Sequence, residues 1–240
     1  MKKILVTGGG GPAGLNFINS LNHATETFDI VSSDINKFHL ELTPSKNRII
    51  MPEFNAPEYI DTLNHVIDEY KIDFLHCQPD GEVKIISDNR EKINTRTFLP
   101  SKKTIDICQN KDLSSEIWAK NGILNNNSIT IDSENDLDDA STTFGYPYWL
   151  RASSGASSKG SSLIYNKNTA YHWIEYWKSR NIDWKFIAQE YFDGRNIAFQ
   201  SIWKNGELIV SQARERLEYL YPNLAPSGVT NTPVVAVTIN

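Results

Sequence analysis

Residues 4–6, Ile-Leu-Val, run straight into Thr7-Gly8-Gly9-Gly10-Gly11-Pro12-Ala13-Gly14, and that junction limits what the chain can build. The apolar triplet reads as a short buried strand, and Leu15, Phe17, Ile18 and Leu21 beyond the glycines carry helical spacing. Glycines between a strand and a helix allow a tight turn and a close approach of backbone to the sheet. The helix N-terminus there can face an anion. The alternation then repeats. Strands are expected over 28–31, closed by Ser32, Ser33 and Asp34, and over 48–51, 73–77 and 97–99. A helix over 57–70 places Ile60, Leu63, Val66 and Ile67 on one side, and another over 82–90 turns Val83, Ile85 and Ile86 inward. Strand–helix alternation predicts an α/β unit with a parallel, Rossmann-like sheet.

The rhythm changes after Pro100. Helices are expected over 104–108 and 111–120, the second closed by Asn121-Gly122, where glycine supplies a left-handed conformation. Strands follow over 128–131, 148–152 and 162–165, then a helix over 169–180 with Trp173 and Trp177 one turn apart, as in core packing. Segments 187–191, 197–203 and 207–212 read as an antiparallel meander with Asn205-Gly206 as a hairpin turn. This mixed pattern predicts an α+β second domain, giving domains 1–108 and 109–240.

The chain has 240 residues, enough for one large or two modest domains. A net charge of −5 argues against a nucleic-acid surface, which needs clustered Lys and Arg. No run of about 18 apolar residues or signal-like start is present, so neither a membrane span nor export is expected, and the cytoplasm is the expected location. Cys77 and Cys108 read as buried thiols of a reducing compartment, and no metal site is expected from them. The oligomeric state stays open, a homo-oligomer included.

Two readings fit the glycine turn. Thr7, Gly8, Gly11 and Gly14 match the T-G-x-x-G-x-x-G pattern of short-chain dehydrogenases. Asp34 follows Gly14 by twenty residues, about where a ribose-binding carboxylate would stand. An NAD(P)-dependent reductase is therefore one alternative. Against it, none of the ten tyrosines is followed four residues later by lysine, as the catalytic step of that family needs, and the sheet is expected to end near residue 100. The other reading is a turn that serves packing alone.

Further along, Arg151 sits near the end of the apolar strand carrying Tyr148, Trp149 and Leu150. It leads into Ser153-Ser154-Gly155-Ala156-Ser157-Ser158-Lys159-Gly160. A small, hydroxyl-rich loop with one lysine can fold over a triphosphate and donate backbone N–H groups, Gly155 and Gly160 keeping it pliant. Arg151 and Lys159 would neutralise charge building on a departing phosphoryl group. Arg214 and Arg216 alternate with Glu215 in a strand pattern and so share a face.

The whole series resembles the ATP-grasp family, in particular proteins similar to the carbamoyl-phosphate synthase large chain. In the first domain the resemblance rests on ILVTGGGGPAG, Asp34-Ile35-Asn36, PEYIDTLNHVIDEYKIDFLHCQPDGE and SDNRE. In the second it rests on ICQNKDLSSEIWAKNGI, YPYWLRASSGASSKGSSLIY, QEYFDGRNIAFQ and ARERLE. It implies a pre-ATP-grasp domain followed by an ATP-grasp domain, with ATP and Mg²⁺ as cofactors. It implies phosphate contacts for Lys111 and adenine contacts for Gln189, Glu190, Tyr191 and Phe192. One of Arg214 and Arg216, with Arg216 the choice, is placed beside the transferred phosphoryl group or the acid, and Lys159 acts there too. The family usually has a glutamate for the ribose hydroxyls after the glycine of its interlobe segment. Here Gly194 is followed by Arg195 and Asn196, so a neutral amide takes that place.

The reaction implied is activation of a small carboxylate by ATP to an acyl phosphate, then attack by an amine or similar nucleophile. A nucleotide-binding protein without turnover is the other alternative. The family's metal ligands follow the arginine-bearing strands, but residues 219–240 hold no Asp or Glu. The expectation is therefore an ATP-grasp domain without its metal-binding part, inactive alone, and an apolar run at 234–239 that needs a partner.

Overall fold

The computed structural model describes residues 1–123, 127–153, 160–219 and 233–239. The chain divides into two compact units, Met1–Gln109 and Asn110–Asn240.

In the first unit, strands β1 (Lys2–Thr7), β2 (Phe28–Asp34), β3 (Asn47–Ile50), β4 (Phe74–His76) and β5 (Arg96–Thr97) form an all-parallel sheet in the order β3-β2-β1-β4-β5. Helix α1 (Pro12–Asn22) begins with proline at its first position, where the missing N–H costs nothing. It covers one face, closing Ile18 over Ile4, Val6 and Ile30. A short helix α2 (Lys37–Leu40) follows β2, capped by the Asn36 side chain accepting from Phe38 N–H. Helices α3 (Tyr59–Tyr70) and α4 (Asp80–Asp88) cover the other face. There Tyr59, Leu63, Val66, Ile67 and Ile86 pack with Leu5, Val31 and Leu75. Each such buried apolar side chain contributes about 1.5–3 kcal/mol. The sheet is thus buried on both sides, which is why its strands read as nearly continuous apolar runs. Helix α5 (Lys102–Gln109) joins α4 through Lys84, which pairs with Asp88 and Asp106, and through Lys102, which pairs with Asp88.

The second unit opens with α6 (Lys111–Lys120), ended by Asn121 and by Gly122 at φ 69°. Strands β6 (Ser128–Ile131), β7 (Tyr148–Ala152), β8 (Ser162–Ile164) and β9 (Phe186–Glu190) form an antiparallel sheet in the order β6-β9-β7-β8. Helices α7 (Glu134–Phe144) and α8 (Lys167–Ser179) pack on one face of it, where Leu137, Ala140 and Ala170 meet Tyr148, Leu150, Ile164 and Ala188. Trp173 and Trp177 pack against this core. Strands β10 (Asn196–Lys204), β11 (Glu207–Tyr219) and β12 (Pro233–Ile239) form a separate antiparallel sheet in that order.

Three expectations are corrected. β9 pairs with β6 and β7, not with β10, so the meander over 187–212 divides between two sheets. The five residues from Tyr191 to Arg195 connect them, and the apolar content of β9 could not reveal which neighbours it takes. Helix α7 was not expected at all, because only Leu137, Ala140 and Phe144 break a run of polar residues. What fixes it is local: Ser133 and Asp136 form a reciprocal capping box. Lastly, Cys77 is buried but Cys108 is exposed on α5; both are free. The apolar run at 234–239 finds its partner in β11, with Glu215 opposite Val237.

Candidate functional site

The glycine turn of the first unit is filled by the chain itself. A Cβ on Gly10 would lie 2.2 Å from the carbonyl carbon and oxygen of His39, and one on Gly14 would lie 2.3 Å from the Gly8 carbonyl oxygen. A Cβ on Gly8 would meet the Pro79 ring at 2.8 Å. Asp34 is buried, and its carboxylate accepts from Asn36 N–H at 2.9 Å, shaping the entry to α2. Of the fingerprint glycines, Gly8 and Gly14 are thus taken up by close packing of the chain on itself, while Gly11 meets only the Gly8 carbonyl oxygen at 3.3 Å. Beside them Glu82 is also buried, and burial pushes its carboxyl above the ordinary carboxylate range.

The second unit presents a different arrangement. Residues directly opposite in an antiparallel ladder share a face, and Tyr148, Leu150 and Ala188 face the helices. Trp149 opposite Gln189 and Arg151 opposite Ile187 therefore lie on the face away from α7 and α8, with Leu163 beside Trp149. Gln189 and Ile187 are buried there and Arg151 is half-buried. A guanidinium held on a strand one residue pair from a buried amide is a rigid cationic feature with hydrogen-bonding capacity beside it. Gly160, where the chain returns into β8, has φ 75°, and a Cβ there would meet the Trp184 ring at 2.8 Å. Trp173 Nε1 donates to the Gly160 carbonyl at 2.9 Å, so this end of the Ser/Gly loop is anchored. Gly155 and Lys159 lie outside the described residues.

Glu190 at the end of β9 is exposed, and beyond it Tyr191 is half-buried and Phe192 exposed. In the three-stranded sheet, Asn196 stands opposite Arg216 and Ala198 opposite Arg214, so both arginines share one face. Arg216 Nη1 reaches the Asn196 carboxamide oxygen at 3.5 Å, and Arg214 Nη2 donates to Gln200 at 2.9 Å. On the opposite face Arg195 grips Glu215 through two bonds of 2.8 and 2.7 Å, which holds the Glu215 carboxyl below its usual range. Sequence reading missed this fork, although the alternation Arg214-Glu215-Arg216 already put Glu215 on the side away from the two arginines. Lys111 is the first residue of α6, whose cap is Asn110 accepting from Leu113 N–H at 3.0 Å. The register thus brings Arg151 together with Gln189, and Asn196 with Arg214 and Arg216.

No family model matches the chain, and no curated protein matches it in sequence. Solved structures match it in fold. An L-amino acid ligase from Bacillus licheniformis is similar over 100% of this chain and 55% of its own, with 13% identity and a TM-score of 0.67. A carboxyaminoimidazole ribonucleotide synthase from Aspergillus clavatus complexed with ATP is similar over 90% of this chain and 55% of its own, at 16% identity and a TM-score of 0.66. The biotin carboxylase domain of a Hydrogenobacter thermophilus 2-oxoglutarate carboxylase, a dimer with MgADP, ADP and bicarbonate, covers 90% and 50% respectively, at 16% identity and a TM-score of 0.60. The fold is that of ATP-grasp ligases. This chain spans about half the length of the structures it matches. At these identities the likeness speaks for the fold alone. Its parts are a parallel-sheet unit of the pre-ATP-grasp kind and an α+β unit of the ATP-grasp kind.

Among the described residues no helix is long and apolar enough to cross a membrane, and no group of three His, Cys, Asp or Glu side chains is placed to hold a metal ion.

Proposed function

We propose that this chain binds ATP on the face of its four-stranded sheet away from α7 and α8, and belongs to a ligase-type enzyme that joins a small carboxylate to an amine. The observation that carries the reading is half-buried Arg151 beside buried Gln189 on that face. It occurs in a fold shared with proteins described as ligases and as complexes with ATP or ADP. The narrower likeness to the carbamoyl-phosphate synthase large chain rests on the sequence motifs. In this reaction class ATP converts the carboxylate to an acyl phosphate and the amine displaces phosphate, so the protein's work is positioning and charge stabilisation.

Arg151 is assigned to the phosphates, with Lys159, Gly155 and Gly160 of the Ser/Gly loop and Lys111 of α6. Gln189, Glu190, Tyr191 and Phe192 are assigned to the adenine, and Asn196 to the ribose. Arg216, with Arg214 beside it, is assigned to the transferred phosphoryl group or the acid. Free Cys77 and Cys108 suit a reducing, cytoplasmic setting. The NAD(P) reading loses support where His39 fills the space over Gly10.

A thermal-shift panel of ATP, ADP, NAD and NADP tests the proposal, because a ligand that binds only the folded state raises the melting temperature. ATP and ADP should stabilise the chain and NAD and NADP should not. Stabilisation by NADP alone would return the site to the glycine turn.

A further inference from the structure

The helix-covered side of the four-stranded sheet holds a concavity. It is a cavity of about 600 Å³ between the end of β6, the start of α7, the outer turns of α8 and the segment entering β9. Its floor is apolar and aromatic, made by Ile131, Leu137, Ile174, Trp184 and Phe186. Its rim carries Asp132, Glu134, Glu175 and Asp183 against Lys178 and Lys185. Lys178 is taken up by Glu175 at 3.1 Å, which leaves Lys185 facing three carboxylates among the lining residues.

We infer that this cavity is a binding site for a small organic amine, an apolar body carrying one ammonium group. Three features point to that class. The volume lies within the range of small-molecule sites, which are mostly apolar with a few polar groups that fix orientation. The surplus of carboxylates at the mouth favours a cation over a neutral or anionic guest. Tyr171 and Trp184 are among the lining residues, and aromatic side chains are a class that accepts cations and aromatic bodies.

The site also has a mechanical connection. The Trp184 ring that walls the cavity packs against Gly160, and Trp173 of α8 bonds the Gly160 carbonyl. A guest pressing on Trp184 therefore bears on the anchored end of the Ser/Gly loop. The cavity and Arg151 lie on opposite faces of the sheet, so the guest is separate from any nucleotide on the Arg151 face. The inference stands whether or not ATP binds there.

Calorimetric titration of the whole chain with phenethylamine, 2-phenylethanol and phenylacetate tests it, with tryptophan fluorescence as a second readout. Phenethylamine should bind saturably, at least about tenfold more tightly than the alcohol, the scale of one charge-assisted contact. Phenylacetate should give no saturable signal. The double variant Asp132→Asn/Asp183→Asn should lose most of that tenfold preference. Tyr171→Ala, at a partly exposed wall residue, should weaken the amine and the alcohol together. N-acetyl-lysinamide distinguishes the sources of the amine: competition with phenethylamine supports a lysine side chain of a partner protein, and its failure supports a free small amine. Equal affinity for amine and alcohol, or no saturable amine binding by a folded chain, would overturn the inference. Arg151→Ala should leave amine binding unchanged, so this test and that of the nucleotide face fail separately.

Discussion

Gly10 and Gly206 are the same residue type used for opposite reasons. Around Gly10 the space a side chain would take is filled by the His39 backbone, whereas nothing lies within 4 Å of the Cβ position of Gly206, whose φ is 82°. In the first unit glycine permits close packing of chain on chain. In the second, at the tip of the β10–β11 hairpin, it permits only a backbone conformation. A glycine-rich turn therefore marks a close approach, and only what fills the space says whether a ligand or the protein itself approaches. Here the first unit seals its turn with its own backbone, and Arg151, Arg214 and Arg216 stand in the second.

The largest effect should come from breaking the sealed turn. Gly10→Val and Gly14→Val each force a side chain into backbone atoms, at 2.2 and 2.3 Å respectively, which no rotamer change relieves. Each should cost about 3 kcal/mol or more in urea denaturation, the upper range for overpacking. Nucleotide affinity per folded molecule should stay unchanged. Loss of NADPH binding in Gly14→Val with stability intact would reverse the comparison and make the turn a cofactor site.

Next in size is the pH response of the first unit. The His76 ring stacks on Phe17 with centroids 3.5 Å apart and contacts Gln78, and burial pushes its pKa down from 6.5 to about 4. The unfolded chain then binds the proton more readily than the folded one. Stability from this residue is full above pH 6.5, declines as the pH falls, and levels off below about 4. The decline should amount to about 2–3 kcal/mol, allowing for the ring's partial exposure. The difference in stability between wild type and His76→Gln, followed from pH 7 to pH 4, should show it. A pH-independent difference would mean that the ring is already solvated.

Arg151→Ala probes the second unit and should leave the melting temperature nearly unchanged while weakening ATP about tenfold or more, as expected for loss of a charged hydrogen-bond partner. Calorimetry checks this directly. Unchanged affinity would remove the Arg151 face from the nucleotide site.

How much of this was legible in the sequence follows from the range of the forces involved. The parallel sheet was readable because Ile4-Leu5-Val6 and Ile30-Val31 are buried on both faces, and such runs announce themselves locally. The shared face of Arg214 and Arg216 needed only the period of a strand. The placement of β9 was hidden, because pairing with β6 and β7 is a long-range choice that apolar content does not encode. The same limit kept Arg151 and Gln189 apart on the page: their proximity is a property of register, thirty-eight positions of chain being closed by β-pairing. Helix α7 was hidden for another reason, since its stability rests on a two-residue cap and three apolar contacts in place of a full amphipathic stripe. The filling of the glycine turn by His39 had no local signal, as the residue sits in a four-residue helix.

The smallest effect belongs to Gly206. Asn205 at φ 54° and Gly206 at φ 82° give the two left-handed residues that a two-residue hairpin turn requires, and the Asn-Gly pair is the commonest way to supply them. Because the Cβ position is open, Gly206→Ala should cost only the backbone penalty of about 1 kcal/mol, which denaturation can resolve. The ladder from Lys204↔Glu207 back to Asn196↔Arg216 should survive, so Arg214 and Arg216 keep their common face and ATP affinity should not move. Asn205→Ala should cost a similar amount for the same reason, asparagine tolerating the left-handed region better than alanine does. A loss of 3 kcal/mol or more at Gly206 would show that something packs on the hairpin tip after all, and the contrast with Gly10 would collapse into one use of glycine.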